Sequence, residues 1–247
     1  MVRIKTVLVC LYVGVSIIFL TPFGMGMFIL WLLGFKQAMN WAVYRLAWGW
    51  AWLLIFLTGC PLTVIGRENI PQGEGVCFVS NHQSIVDIVI LLASAGRPIG
   101  FIAKKELAWI PFLDLWILLI GGLFIDRVNT RKAVRTIKTG IKRIKSGGAM
   151  IIFPEGRRSK GKGLLPFHSG SFKLATQADA PIVPVVISGS YEVFEKNYQV
   201  QVVPVTVEFC KPIYTAALPP EERRRNLSDY VYSIMKAALG EERPASS

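Results

Sequence analysis

The sequence predicts an α/β protein: a mixed, mostly parallel sheet flanked by helices and preceded by a hydrophobic two-helix membrane hairpin. Two observations carry that expectation. Short β-rich runs at 62–66, 75–80, 99–103, 117–125, 149–153, 182–188 and 202–210 alternate with helical patterns at 84–95, 131–146, 170–178 and 225–239. Strands separated by helices imply an α/β sheet whose polar strand-end loops supply chemistry. The first 60 residues have a different character, apolar almost throughout and without an Asp or Glu before Glu68. The expected organisation is therefore a membrane-embedded hairpin over 1–60, an α/β domain over 61–239 and a frayed tail over 240–247.

The mean hydropathy of +0.45 is high for a cytosolic protein of 247 residues. Its source is the front of the chain, where residues 7–33 and 38–60 are each long enough to cross a hydrocarbon core of about 30 Å as a helix. Thr21-Pro22-Phe23-Gly24 is expected to break the first run, and Arg45 lies inside the second. A central arginine costs roughly 2.5–3.5 kcal/mol on insertion scales, and the clustered Trp31, Trp41, Trp48, Trp50 and Trp52 prefer headgroup depth. Those features favour a hairpin that turns near Gly34-Phe35-Lys36-Gln37 and dips into one leaflet, with two full spans as the alternative. Arg3, Lys5 and Arg67 make the side holding both hairpin ends cytoplasmic. The first run is long and lacks an Ala-x-Ala site, which argues against a cleaved signal peptide.

The formal charge is +12. Residues 1–60 contribute Arg3, Lys5, Lys36 and Arg45, and beyond them 24 basic side chains face 16 acidic ones. Beside a membrane segment, this excess points to anionic lipid; no RNP, zinc-finger or helix-turn-helix pattern supports nucleic acid. Arg131, Lys132, Arg135, Lys138, Lys142, Arg143 and Lys145 share one predicted helix with Val134, Ile137, Ile141 and Ile144 at helical spacing. That helix suits either an anionic bilayer or a solvated outer face. Cys10, Cys60, Cys77 and Cys210 have no Cys-x-x-Cys spacing and sit among apolar residues, so they read as small buried hydrophobes.

The candidate chemistry begins at Ser80-Asn81-His82-Gln83-Ser84-Ile85-Val86-Asp87, which holds one of only 2 histidines. On one regular helix an offset of five would leave His82 and Asp87 about 140° apart, too far round for a dyad. With His82 before the helix, Ser84 as N-cap and Asp87 as third helical residue, the carboxylate reaches back to the imidazole. This suits a general base oriented by an acid, with the nucleophilic hydroxyl supplied by the substrate. A plain capping box between Ser84 and Asp87, with His82 as a loop residue, stays open from these residues alone. Further along, Asp126-Arg127, Glu155-Gly156-Arg157-Arg158-Ser159 and the strand from Pro181 end apolar stretches on charged or proline-marked turns. Arginine grips phosphate bidentately and glycine allows close backbone approach, so these loops suggest a site for a phosphorylated ligand; a surface ion pair or solvated turn is the alternative at each.

Taken in order, Asn81-His82-x-x-x-x-Asp87, Phe124-Ile125-Asp126-Arg127, Phe153-Pro154-Glu155-Gly156-x-Arg158-Ser159 and the strand from Pro181 resemble the four motif blocks of the glycerolipid acyltransferases. The bacterial 1-acyl-sn-glycerol-3-phosphate acyltransferases are the branch they match best. Lys104-Lys105-Glu106-Leu107 is similar to a segment these enzymes carry between the first two blocks. Arg157 departs from the pattern, which commonly has threonine there, and leaves open which arginine binds.

The resemblance implies acyl transfer from a coenzyme A or acyl carrier protein thioester to the 2-hydroxyl of lysophosphatidic acid, giving phosphatidic acid. It requires no cofactor and no metal, and it places the domain on the cytoplasmic face of the cell inner membrane. By the same carry-over His82 and Asp87 are catalytic, and Lys105, Arg127 and Arg158 bind the acceptor's phosphate. Glu155 and Gly156 shape the phosphate loop, the glutamate aligning an arginine, and Asn81 or backbone N–H groups stabilise the oxyanion. Gly161-Lys162-Gly163 and Ser169-Gly170-Ser171 read as flexible turns, and His168 as structural. Alternatives are a related enzyme with another lysolipid acceptor, a hydrolase, for which no Gly-x-Ser-x-Gly elbow speaks, and a non-catalytic protein that binds anionic lipid.

Overall fold

The structure, a computed structural model, describes residues 2–219 and 226–240. From residue 241 on, the expected tail lies outside the described residues.

Helix α1 (Val2–Leu32) and helix α2 (Lys36–Thr58) form the expected hairpin, closed at Gly34, whose φ of +106° is natural only for glycine. Both are long and apolar enough to cross a membrane. Contrary to expectation, Thr21-Pro22-Phe23-Gly24 does not break α1: Pro22 lies inside one continuous helix. Thr21 Oγ1 donates to Ile17 O at 2.6 Å, next to Ile18 O, the carbonyl that Pro22 leaves without an amide donor. The hairpin's open end is tied to the rest of the protein. Lys5 Nζ donates to Thr58 O at 2.9 Å, and Val200 N to Thr6 Oγ1 at 2.9 Å.

The sheet has 8 strands: β1 (Leu62–Ile65), β2 (Val76–Ser80), β3 (Ile99–Lys104), β4 (Leu123–Ile125), β5 (Ala149–Ile152), β6 (Pro181–Ser188), β7 (Val205–Phe209) and β8 (Ile213–Tyr214). Their order is β1-β7-β6-β2-β5-β3-β4, with β8 pairing β6. Strands β2 to β6 are mutually parallel, and β7 and β8 run antiparallel to β6. Parallel pairing puts the carboxyl ends of five consecutive strands on one edge, where α/β sheets bind ligands.

Side chains alternate between two layers. Val76 and Phe78 of β2 face a core shared with α2 and with α3 (Val86–Ser94), whereas Cys77 and Val79 face the opposite core. That second core lies beneath α5 (Thr130–Lys145), α6 (Lys173–Thr176) and α8 (Leu227–Ala238). Ala47, Ala51 and Ile55 make α2 part of the first core, and Trp52 Nε1 donates to Ala93 O at 3.1 Å. Ile141 and Ile144 of α5 point inward, but Val134 is exposed. Arg143 leaves the cationic face altogether, donating to Gly121 O, and burial pulls its guanidinium below its ordinary pKa.

One expected strand divides. Residues 117–125 form the end of α4 (Leu113–Leu119), a Gly121-Gly122 turn and three-residue β4. The apolar run Leu115–Ile120 has no alternation to mark a strand, while Leu113, Ile117 and Ile120 meet the core at helical spacing. The expected strand at 202–210 starts only at Val205, after Pro204.

Candidate active site

His82 stands just beyond the carboxyl end of β2, next to the helix that carries its acid. Nδ1 lies 2.8 Å from Asp87 Oδ2, which also accepts from Gln83 N at 2.7 Å and Ser84 N at 2.9 Å. An oxygen already accepting two N–H groups has no proton to offer. Hydrogen bonding thus assigns the imidazole proton to Nδ1 and leaves Nε2 as the free basic nitrogen. Asp87 is fully buried, and its other oxygen has no partner among the described residues.

Ser84 Oγ accepts from Val86 N at 3.2 Å while Asp87 reaches back to Ser84 N, but the N-cap is Ile85, without a side-chain cap bond, so Ser84 sits one residue ahead of the cap it was expected to form. Asp87 is the second helical residue here, one earlier than expected. The His82 ring is further held by Phe153, stacked at 4.1 Å between centroids.

The loop after β5 grips the backbone of His82 on both sides. Glu155 Oε1 accepts from His82 N at 2.7 Å, and Ser159 N donates to His82 O at 2.7 Å. Glu155 Oε2 accepts from Leu165 N at 3.2 Å. Glu155 therefore braces the histidine's main chain. A carboxylate paired with Arg158 is Glu195, in the turn after α7 (Ser190–Val193). Glu195 Oε1 also accepts from Ile85 N at 3.1 Å, so one buried oxygen joins Arg158 to the foot of the Asp87 helix. Glu195 lies outside the four blocks and was not foreseen; its only sequence signal is an acid soon after the Pro181 strand.

Asn81 is also a brace. Its Nδ2 donates to Ile187 O at 2.9 Å and its Oδ1 accepts from Ile187 N at 2.8 Å, extending the β2–β6 ladder with a side chain. It is 2% exposed, a position that splints strands rather than meeting an oxyanion.

The cations form the outer part of the site. Lys105 Nζ donates to Asp126 Oδ2 at 2.9 Å. That bond, helped by Asn129 N and Val128 N, holds the Asp126 carboxyl below the usual carboxylate range. Arg127 donates to Gly156 O, and Arg157 is exposed with no ion pair among the described residues. Gly156 has φ +69°, and a Cβ there would lie 3.2 Å from the ring of His168 and 3.6 Å from Arg127 Nη1. His168, read as structural, thus shares the Gly156 loop with Arg127, although no acidic partner in the sequence marked it. No group of His, Cys, Asp or Glu that could hold a metal ion occurs among the described residues.

Fold and site together define an α/β protein with a carboxylate-oriented histidine at the carboxyl edge of its central strand and basic side chains around it. The comparisons assign the family. A family model described as Acyltransferase matches residues 61–188, and the chain belongs to that family. It is 36% identical over 165 residues to a 1-acyl-sn-glycerol-3-phosphate acyltransferase of Cocos nucifera, covering 66% of this chain and 53% of that one. To the enzyme of the same name from Haemophilus influenzae it is 33% identical over 180 residues, 71% of this chain and 74% of that one. The crystal structure of the 1-acyl-sn-glycerophosphate (LPA) acyltransferase PlsC from Thermotoga maritima aligns over 100% of both chains with TM-score 0.81 and 26% identity. The chain spans only 53% of the length of the Cocos nucifera relative and 58% of that of a relative from Limnanthes douglasii.

Proposed function

We propose that the protein transfers a fatty acyl group from a thioester, on coenzyme A or acyl carrier protein, to the 2-hydroxyl of 1-acyl-glycerol-3-phosphate. The product is phosphatidic acid, a phospholipid precursor. The observation that carries this reading is the His82–Asp87 contact at 2.8 Å, on the sheet edge whose other loops bring Lys105, Arg127 and Arg158. The relatives' names supply the substrate class.

In this mechanism His82 Nε2 takes the acceptor's hydroxyl proton as the oxygen attacks the thioester carbonyl. A C–O bond forms and the C–S bond breaks. The leaving thiolate then takes the proton back from the imidazolium. Asp87 holds the ring and stabilises its charged form, an effect that with general-base catalysis contributes typically about 10²–10⁴-fold. Thiols leave readily, so neither an acyl-enzyme nor a cofactor is needed; the remaining demand is positioning. Lys105, Arg127 and Arg158 bind the phosphate and thereby set the distance from it to the 2-hydroxyl.

The hairpin dips into one leaflet of the inner membrane, with the catalytic edge at headgroup depth on the cytoplasmic face. One feature supports this over two full spans, and a second sets the side. Along Ala47–Ile55, α2 packs in the core beneath α3, so carrying α2 through the bilayer would carry α3 in with it. Arg3 and Lys5 lie at the hairpin's open end, where Lys5 Nζ bonds Thr58 O, and mark that end as cytoplasmic in either arrangement.

The test is thiol release by purified full-length protein in detergent, given oleoyl thioester and a panel of lysolipids, with and without chelator. Release that depends on lysophosphatidic acid and survives chelation is expected. Equal use of a choline-headed lysolipid would overturn the acceptor assignment, and release without any acceptor would indicate a hydrolase.

A further inference from the structure

Between β3 and β4 the chain makes an excursion, Lys105–Gly122, whose outer surface is apolar where a water-facing loop would be polar. Trp109 is 85% exposed, with Ile110, Phe112 and Leu118 each more than two-fifths exposed. Its inner side is ordinary core: Leu107, Leu113 and Ile117 pack against the sheet. Across from it, at the neighbouring strand end, Val128 is 87% exposed beside Arg127.

The position of α4 on the hairpin indicates what covers this surface. The open end of the hairpin is fixed at Lys5 and Thr58. Gly24 of α1, about 28 Å further along the helix at 1.5 Å per residue, is where α4 docks. There a Cβ on Gly24 would lie 3.1 Å from Leu119 Cδ1 and 3.2 Å from Trp116 Cζ2. The excursion therefore lies beside the outer half of α1, whose Phe19, Phe23 and Met25 are exposed. At its start Lys104 and Lys105 pair with Glu106 and Asp126, and after β4 the chain adds the exposed Arg127 and Arg131. An exposed tryptophan next to cations at the rim of an apolar surface matches the headgroup boundary of an anionic monolayer.

We infer that Trp109–Leu119 is a third membrane-seated element, lying at the lipid boundary beside the hairpin, and that it is the sill over which a lysolipid's chain passes toward Lys105 and Arg127. The occupant is the lipid monolayer itself. The seating rests on the exposed surface and on α4's place along α1, and only the passage of a lysolipid rests on the proposed function.

The seating is tested in full-length protein carrying Cys10→Ser and Trp109→Cys, labelled with an environment-sensitive fluorophore and reconstituted in vesicles of phosphatidylcholine and phosphatidylglycerol. Nitroxides high on the lipid chains should quench this label, whereas a label at Tyr230→Cys, half-exposed on α8, should respond only to aqueous iodide. Equal iodide quenching at both positions overturns the proposal. So does protection of position 109 that appears only as protein density rises, which would mark a contact between copies.

The passage is tested with Trp109→Asp. It should raise the KM for a long-chain acceptor held in vesicles roughly tenfold and leave the KM for a soluble short-chain acceptor unchanged. Equal effects on both acceptors would assign Trp109 a structural role. A protein that acylated neither acceptor would defeat the proposed function while leaving the depth measurement decisive.

Discussion

The two halves of the site are built on opposite plans. Around His82 nearly every polar atom is committed: the ring to Asp87 and Phe153, the main chain to Glu155 and Ser159, the carboxylate to two N–H groups besides. The cations are half-exposed or exposed, and each is held by a protein partner that the phosphate of the proposed acceptor would displace: Asp126 for Lys105, Gly156 O for Arg127, Glu195 for Arg158. Chemistry needs its base aligned before substrate arrives, because each misdirected rotamer lowers the rate. Binding needs cations that are solvated or exchangeably paired, because a buried unpaired charge costs several kcal/mol. The fold thus fixes the base rigidly and leaves the cations replaceable.

The largest expected effect falls on the rigid half. His82→Ala and Asp87→Asn should each lower kcat by about 10²–10⁴-fold, with acceptor KM changed far less. Asp87→Asn is the sharper variant because an amide can still accept from the backbone N–H groups while losing the charge that orients the imidazole. Steady-state thiol release together with a thermal melt checks this; unaltered kcat in a folded Asp87→Asn protein would break the contrast.

On the replaceable half the change belongs in KM. Arg158→Ala should raise acceptor KM roughly tenfold with kcat within about threefold, the pattern of lost ground-state binding. Glu195 straddles the two halves and separates them. Glu195→Gln keeps an acceptor for Ile85 N and releases Arg158, so kcat should hold and KM should not rise. Glu195→Ala also strips Ile85 N of its partner at the foot of the Asp87 helix, so kcat should fall as well. Identical kinetics for Gln and Ala would remove Glu195 from any link to the dyad.

A smaller effect is expected at Lys105. Asp126→Asn retains Oδ1 for the Val128 and Asn129 N–H groups but releases the lysine from its ion pair, which should lower acceptor KM about two- to threefold, as expected for a pair this exposed. The sign of its pH dependence follows from the depressed Asp126 carboxyl. A group held below its unfolded pKa adds stability that is fully present above that value, about 3.9, and is lost as pH falls through the folded value. The Lys105–Asp126 pair therefore persists throughout the neutral range, and the ratio of wild-type to variant KM should be flat from about pH 6 to 8.

The dyad and the fold could be read early because each is a local or periodic pattern. His82 and Asp87 are five residues apart at a strand-to-helix boundary, and apolar alternation marks the buried strands. What could not be read depends on chain segments that meet only after folding. Glu195 reaches Arg158 and Ile85 across 37 and 110 residues. Asn81 meets Ile187 across 106, which turns a candidate oxyanion donor into a strand splint. Pro22 failed as a breaker because turn chemistry learned in water does not carry over to a helix whose surroundings are apolar. The 117–125 segment failed as a strand because an unbroken apolar run fits either period.

The smallest expected effect is no effect, and it concerns the floor beneath the rigid half. Cys77 lies in β2, five residues before His82, with zero exposure, and burial pushes its thiol up to about 12. Cys210 is buried against the same core, its thiol raised to about 11 by burial first and Glu208 second. Thiolate is the form that alkylating reagents attack, so at pH 7.5 both should be inert, and neither has a place in the mechanism. Treating folded protein with a maleimide should modify Cys10, exposed on α1, and leave acyl transfer to lysophosphatidic acid within about twofold of untreated enzyme. Mass analysis of the modified sites should show Cys77 reacting only after denaturation. If Cys77 reacted in the folded state as fast as Cys10, the floor under His82 would be open to solvent, and the rigidity assigned to that half would need another source.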